Sequence, residues 1–174
     1  AGVAVLLKQQ HPTWSPDEIK MALRNSATDI GATRTEQGHG RVDALATAQS
    51  LQPPIAYIDI QNRNQTPLTF IGTATASSFK EYRLFWGDGL NTNTFTQFHI
   101  SLQPVVNGIL FSNFDASVMK DGYGVIKLEV TNTAGMTSID YIPLVVDYIG
   151  FTEPLNNDVL RAGDLLNIKG YIFF

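Results

Sequence analysis

The spacing of hydrophobic residues changes period near residue 54, and that change divides the chain. In the first fifty residues, Gly2, Val3, Ala4, Val5, Leu6 and Leu7 form a run with no polar face. Such a run predicts a helix or strand buried on all sides. Burial of an aliphatic side chain contributes about 1.5–3 kcal/mol only where there is something to bury it against. Nothing in the next fifty residues promises that body, so the expectation is a chain truncated at its N-terminus. A second helix has a clear start: Ser15 can cap, Pro16 takes the first helical position, and Glu18 completes a capping box. Ile19, Ala22 and Leu23 then recur on one face, while Asp17, Lys20 and Arg24 are expected to face water. The helix should end between Asn25 and Thr28. A polar loop over 29–38 follows, and Gly38 and Gly40 permit a tight path into a short helix carrying Val42, Leu45, Ala46 and Ala48. Pro53-Pro54 stops that helix and marks a boundary.

Beyond Pro54 the pattern is that of strands. β-Branched and aromatic runs at 55–60, 68–75, 82–86, 123–131 and 138–146 are separated by Gly, Asn, Asp and Pro. In the fourth run Val125, Lys127 and Glu129 alternate with Ile126, Leu128 and Val130, which predicts one face inward and one in water. Gly87-Asp88-Gly89 and Asn132-Thr133-Ala134-Gly135 offer the positive-φ residues that hairpins need. Short strands with turns between them predict an antiparallel sandwich. A weak internal repeat extends the pattern. Ala56–Ile60 followed by Thr69–Ala74 is echoed by Asp147-Tyr148-Ile149-Gly150-Phe151 followed by Asn167–Ile172, so a second module is expected to begin near Tyr148.

Composition narrows the function classes. The chain has 174 residues, is 44% hydrophobic and 16% charged, carries a formal net charge of −4 and has no cysteine. That profile belongs to an ordinary globular chain, and scattered Lys and Arg give no basic stripe for nucleic acid. No apolar run reaches the length of a membrane span. Without cysteine there is no disulfide framework and no thiolate metal site, which is compatible with a secreted bacterial protein.

The segment Ala1–Leu7, then His11-Pro12-Thr13-Trp14-Ser15-Pro16-Asp17-Glu18-Ile19-Lys20, then Gly38-His39-Gly40-Arg41-Val42-Asp43-Ala44, in that order, resembles the end of a subtilisin-like serine protease domain. In that family the nucleophilic serine lies in a GTSxAxPHVAG motif, and Ala1-Gly2 match its end. The resemblance implies that the serine, and further upstream the aspartate, histidine and oxyanion asparagine, precede this chain, so no position here is assigned a catalytic role. Over residues 55 to 147 the chain resembles bacterial immunoglobulin-like modules of the PKD type, on Phe85-Trp86-Gly87-Asp88-Gly89 and Tyr123–Asn132. Modules appended to secreted subtilisin-like proteases fit better still, through Asn107-Gly108-Ile109-Leu110-Phe111-Ser112-Asn113-Phe114-Asp115 and Lys120-Asp121-Gly122-Tyr123.

Candidate chemistry is sparse. His11, His39 and His99 lie in unrelated contexts, with no second ligand at metal spacing, and are read as turn and surface residues rather than a zinc site. Asp88, Asp115, Asp121 and Asp158 lie in or near loops where calcium could bind, yet form no dense acidic loop. The expectation is no cofactor, with calcium as the lesser alternative. Asn64-Gln65-Thr66 is a glycosylation sequon and is read as accidental. Tyr82, Phe85, Trp86, Phe95 and Phe98 could form a sugar-stacking platform, although alternating strand aromatics are more often core. Trp86 is expected in the core, facing Ile126, Leu128 and Val130 across the sandwich.

The fold class expected is therefore mixed: an α-helical remnant of an α/β subtilase domain over 1–52, an all-β immunoglobulin-like sandwich over 53–147, and the start of a second β module over 148–174. The leading functional expectation is the C-terminal piece of a secreted, extracellular or cell-surface subtilisin-like endopeptidase, inactive by itself. Its partners would be the upstream part of its own protease domain and, through the parent, protein substrates. The alternatives are a module that binds cell-wall glycan or protein substrate, and a non-enzymatic adhesin repeat.

Overall fold

The computed structural model describes residues 1–61, 63, 67–119, 122–146, 149–153 and 168–172. Four helices come first: α1 (Gly2–Gln10), α2 (Pro16–Asn25), α3 (Arg34–Gln37) and α4 (Ala44–Ala48). Nine strands follow: β1 (Ile55–Ile60), β2 (Leu68–Thr75), β3 (Phe79–Asp88), β4 (Thr96–Ser101), β5 (Val105–Phe114), β6 (Gly122–Asn132), β7 (Thr137–Val146), β8 (Ile149–Glu153) and β9 (Lys169–Ile172). The mixed class, helices followed by antiparallel sheets, stands.

The start of α2 is as the sequence dictates. Ser15 Oγ accepts from the Glu18 N–H, and the Glu18 carboxylate accepts from the Ser15 N–H at 2.6 Å. The same logic, missed in the sequence, makes a helix inside the 29–38 loop. Glu36 accepts from the Thr33 N–H and hydroxyl, and the turn that becomes α3 closes at Gly38, whose φ is 63°. Asp43 caps α4 through Ala46 N–H, so Val42 lies ahead of that helix rather than in it.

The N-terminal run corrects an expectation. It is a helix, but within this chain only Leu7 is buried, while Val5 and Leu6 are exposed. Leu7 packs with Trp14, Ile19 and Ala22, so the following residues do supply part of a core. The helix α2 corrects another. Ile19 and Ala22 face that helical cluster, whereas Met21, Arg24 and Asn25, at i, i+3 and i+4, form a second face turned to the strands. Arg24 is therefore an interface residue rather than a solvated one.

β1, β2 and β5 form one antiparallel sheet in the order β1-β2-β5, and β4, β3, β6 and β7 form another in the order β4-β3-β6-β7. Their facing side chains make one core, with Ile58, Phe70, Leu110 and Phe114 from the first sheet and Leu84, Ile126, Leu128, Val130 and Ile142 from the second. This arrangement is compatible with a β-sandwich. The Tyr82 hydroxyl crosses between the sheets and donates to the Leu110 carbonyl at 2.7 Å. β4 and β5 lacked clear alternation in the sequence because most of their residues lie at sheet margins, half or fully exposed. In β6, Ile126, Leu128 and Val130 are inward, yet Val125 is also buried, and Lys127 and Glu129 are only half exposed because the outer face is partly covered. The Asn132–Gly135 turn joins β6 to β7 as a hairpin, with Gly135 at φ 82°. Gly87-Asp88-Gly89 does not: β3 runs through Asp88, and a loop over 89–95 leads to β4. β8 and β9 pair antiparallel in a sheet of two. Asp147-Tyr148 and Asn167 of the repeat lie outside the described residues.

Candidate functional site

The chemistry of this chain concentrates where the helical segment meets the β4-β3-β6-β7 sheet. Asp140 on β7 is the first anchor. Its Oδ1 accepts from Arg24 Nη1 at 3.0 Å, and its Oδ2 accepts from the Ile58 N–H at 3.1 Å, so one carboxylate ties α2 to both sheets. Two positions earlier, Ser138 Oγ accepts from Asn25 Nδ2 at 2.8 Å and donates to the Pro54 carbonyl at 2.7 Å. Ser138 is fully buried, so both of its bonds compensate desolvation.

Arg34, at the start of α3, is the second anchor. Its guanidinium donates to the Leu90 and Thr92 carbonyls at 3.0 and 3.1 Å and lies 4.1 Å from the centre of the Tyr141 ring. The adjacent Thr35 N–H donates to Asn91 Oδ1, and Asn91 Nδ2 donates back to Thr35 Oγ1, each at 3.1 Å. Phe95 continues the stack beside Tyr141, and Lys127 Nζ lies 4.4 Å from Phe95 and 4.1 Å from Phe85 while pairing with Glu129 at 2.7 Å. Cations held over aromatic faces in this way contribute about 0.5–2 kcal/mol each.

A cavity of ≈ 480 Å³ opens at this junction, with Asp29, Thr33, Gln37, His39, Asn93 and Tyr141 on its wall. Asp29 and Gln37 are already bonded to each other and to loop backbone. His39 lines this cavity as an exposed residue; partial desolvation, then the positive charge of Arg24, lowers its pKa against the opposing pull of Asp140. A neutral imidazole follows at neutral pH.

The other candidates are scattered. The His11 ring stacks on Trp14 at 3.9 Å, and its Nε2 is buried without a partner. His99 lies against Tyr82 and Phe111, and burial lowers its pKa. No described imidazole is hydrogen-bonded to a serine. Asp115 caps the 3-10 turn Ala116–Val118 by accepting from the Ser117 N–H, which lowers its pKa. Asp88 is exposed near the end of β3, while Asp121, Asp158 and Asn64-Gln65-Thr66 lie outside the described residues. Among the described residues no three His, Asp or Glu side chains gather as a metal site. No described helix is long and apolar enough to cross a membrane.

The five aromatics of the conceived platform do not share a face. Tyr82 is buried, Phe98 packs on Phe70, Phe111 and Phe114, and Trp86 packs against the core only in part. Phe85 and Phe95 lie on the outer face under Lys127. Trp86 also sits beside Ile126 in adjacent strands of one sheet, not across the sandwich from it, because β3 pairs with β6. Sequence reading missed Arg34 and Asp140 altogether. The Thr33–Glu36 capping spacing was the available signal for α3; Asp140 offered none, since an inward carboxylate on a strand is legible only once its partner is placed.

No family model matches the chain, and no solved structure matches it. Among curated proteins it is 47% identical over 49 residues to the alkaline elastase YaB of Bacillus sp. (strain YaB), covering 28% of this chain and 13% of that one. It is 52% identical over 44 residues to the halolysin-like extracellular serine protease Nep of Natrialba magadii, covering 25% and 8%. It is 43% identical over 49 residues to subtilisin Savinase of Lederbergia lenta, covering 28% and 18%. The chain thus spans less than a fifth of the length of these relatives. One segment of the chain is related to subtilisin-family serine proteases.

Proposed function

We propose that this chain is the C-terminal part of a secreted subtilisin-like serine endopeptidase, with residues 1–52 completing the protease body, residues 53–147 forming an immunoglobulin-like accessory module of PKD type, and a second module starting at 148. The observation that carries this reading is the 43–52% identity to three serine proteases over a stretch about as long as the helical segment. The exposed Val5, Leu6 and Leu45 support it, because they offer apolar surface for the rest of a protease body. An extracellular location fits two relatives, the halolysin-like extracellular serine protease and a CO(2)-response secreted protease of Arabidopsis thaliana.

In such an enzyme a serine upstream of Ala1 attacks the peptide carbonyl, a histidine accepts its proton, an aspartate orients that histidine, and oxyanion donors stabilise the developing charge. The contribution of this chain is scaffold. Leu7, locked among Trp14, Ile19 and Ala22, fixes the helix that would continue from the serine. No residue described here takes a catalytic, cofactor or metal role in this reading.

The test is to express the protein from its coding sequence extended upstream of Ala1. The motif GTSxAxPHV should directly precede Ala1, and its serine should react with a fluorophosphonate probe, while the present chain by itself neither cleaves casein nor takes up the probe. An upstream sequence without that motif, or labelling of Ser15 or Ser26 in the chain alone, overturns the reading.

A further inference from the structure

We infer that the β7 edge of the sandwich, together with the Tyr141 ring and the loop over 89–95, is the receptor surface for the helical segment, so that the β module is a fixed brace folding as one unit with residues 1–52, not a tethered spacer. Three separate contacts converge on this. Met21 leaves the helical cluster and enters the sandwich core at 2% exposure, sharing its surroundings with strand residues. A side chain shared in this way makes each core incomplete without the other. Arg24 and Asn25, on the same face of α2, bond Asp140 and Ser138. Some distance along the same sheet, Arg34 pins α3 to the Leu90–Thr92 loop and to the Tyr141 ring.

The chemistry of each side fits the other. The β7 edge and the loop over 89–95 present carbonyls, a carboxylate and an aromatic ring, which are acceptors and a π-face; the helical segment brings Arg24 and Arg34, which are donors with no acceptor. Two anchors at separate points also fix orientation, where a single contact would leave a pivot. A spacer predicts the opposite arrangement, with a polar solvated linker and few contacts crossing the boundary. Here the boundary prolines Pro53 and Pro54 are both buried, and the Pro54 carbonyl is itself bonded by Ser138.

This inference rests on contacts within the chain and is independent of the protease reading, so the two fail separately. The two tryptophans supply the test, since Trp14 lies in the helical cluster and Trp86 in the sandwich. Trp86→Phe leaves fluorescence that reports only the helical segment, and Trp14→Phe leaves fluorescence that reports only the β module. In the otherwise unaltered chain the two thermal melts should coincide, as different probes do in an all-or-none transition. Arg34→Ala with Asp140→Asn, placed in each background, should separate them by roughly 5 °C or more, with the helical segment melting first. Arg34→Lys keeps the charge but loses the planar fork, and should give a smaller separation; it carries the test where the double change does not fold. Melts already separate before any junction change, or melts still coincident in folded junction variants, would overturn the inference.

Discussion

Arg24 Nη1 and Asp140 Oδ1 lie 3.0 Å apart although 116 residues separate them in the chain. The Arg24 side chain keeps a quarter of its exposure and Asp140 a tenth, so the two partners are not equivalent. Arg24 can turn to water if its partner is lost. Asp140 holds the Ile58 N–H as well, and that donor has nowhere else to go within the strand edge it occupies.

Asp140→Ala should therefore destabilise the chain by about 2–4 kcal/mol, Asp140→Asn by about 1–2 kcal/mol because an amide oxygen still accepts, and Arg24→Ala by no more than the Asn variant. Urea titrations followed by circular dichroism give the order. An Arg24→Ala cost equal to that of Asp140→Ala would show that the ion pair, rather than the bond to Ile58, dominates.

Gly72 on β2 has a φ of +157° and sits opposite Ile58, with the Tyr57 carbonyl where a Cβ would go. Since that neighbour is backbone it cannot step aside, and Gly72→Ala should cost about 3 kcal/mol by prising β1 from β2. Gly135, at φ +82° in the β6–β7 turn, has open space around it, so Gly135→Ala should cost only about 1 kcal/mol. Comparable losses in the two variants, measured by denaturant midpoint at equal m-value, would mean that the close approach at Gly72 is relieved by a small shift of β1.

The strands that could be read from the sequence were those with one face in the core. The runs at 55–60 and 68–75 coincide with β1 and β2 because Ala56, Ile58, Ile60, Leu68, Phe70 and Ala74 alternate into a single interior. β4 and β5 were not legible, since Ile100, Val106 and Ile109 are exposed apolar residues and Asn107 and Asn113 adopt positive φ within β5, which breaks the period. The same reason hid the junction. Arg24 reads as a solvated charge from helix periodicity alone and Met21 is not singled out by it, and the role of both exists only because a second element packs on the other side of α2.

Trp86 and Phe70 offer a graded test of the core. Phe70 is fully enclosed and touches the rings of Phe98 and Phe114, whereas Trp86 is half-buried at the edge of the same cluster. Phe70→Ala should cost about 3–5 kcal/mol, and Trp86→Ala clearly less, about 2 kcal/mol, despite the larger ring. The measurement is again the denaturant midpoint. A Trp86 loss as large as that of Phe70 would place the indole deeper than its packing indicates, while a Trp86→Ala variant of unchanged stability that no longer binds an insoluble polysaccharide would restore the glycan-binding reading.

The last expectation concerns pH. Burial against Tyr82 and Phe111 pushes the His99 imidazole below its ordinary value of 6.5, so the folded chain favours the neutral ring. As pH falls through 6.5 the unfolded chain takes up this proton first, and the folded chain follows only at lower pH. The stability tied to His99 is thus fully present above that pH and is lost as pH drops toward the lowered folded value. Burial, the largest single influence on Glu18, raises its pKa, but the hydrogen bonds to Ser15 and Gln52 with the charge of Lys8 together outweigh it and lower the pKa, so Glu18 adds its own loss only below its ordinary value of 4.5. The two losses set in at different pH, from 6.5 for His99 and from 4.5 for Glu18. His99→Gln should flatten the stability profile just below pH 6.5 while leaving the Glu18 loss below 4.5 in place, and His39, shifted in the same direction, accounts for what slope remains. Urea unfolding at closely spaced pH values reads this directly. A profile from the His99→Gln chain that is as steep as the parent's in the upper window would remove His99 from the account and leave His39, at the junction cavity, as the group whose protonation weakens the fold.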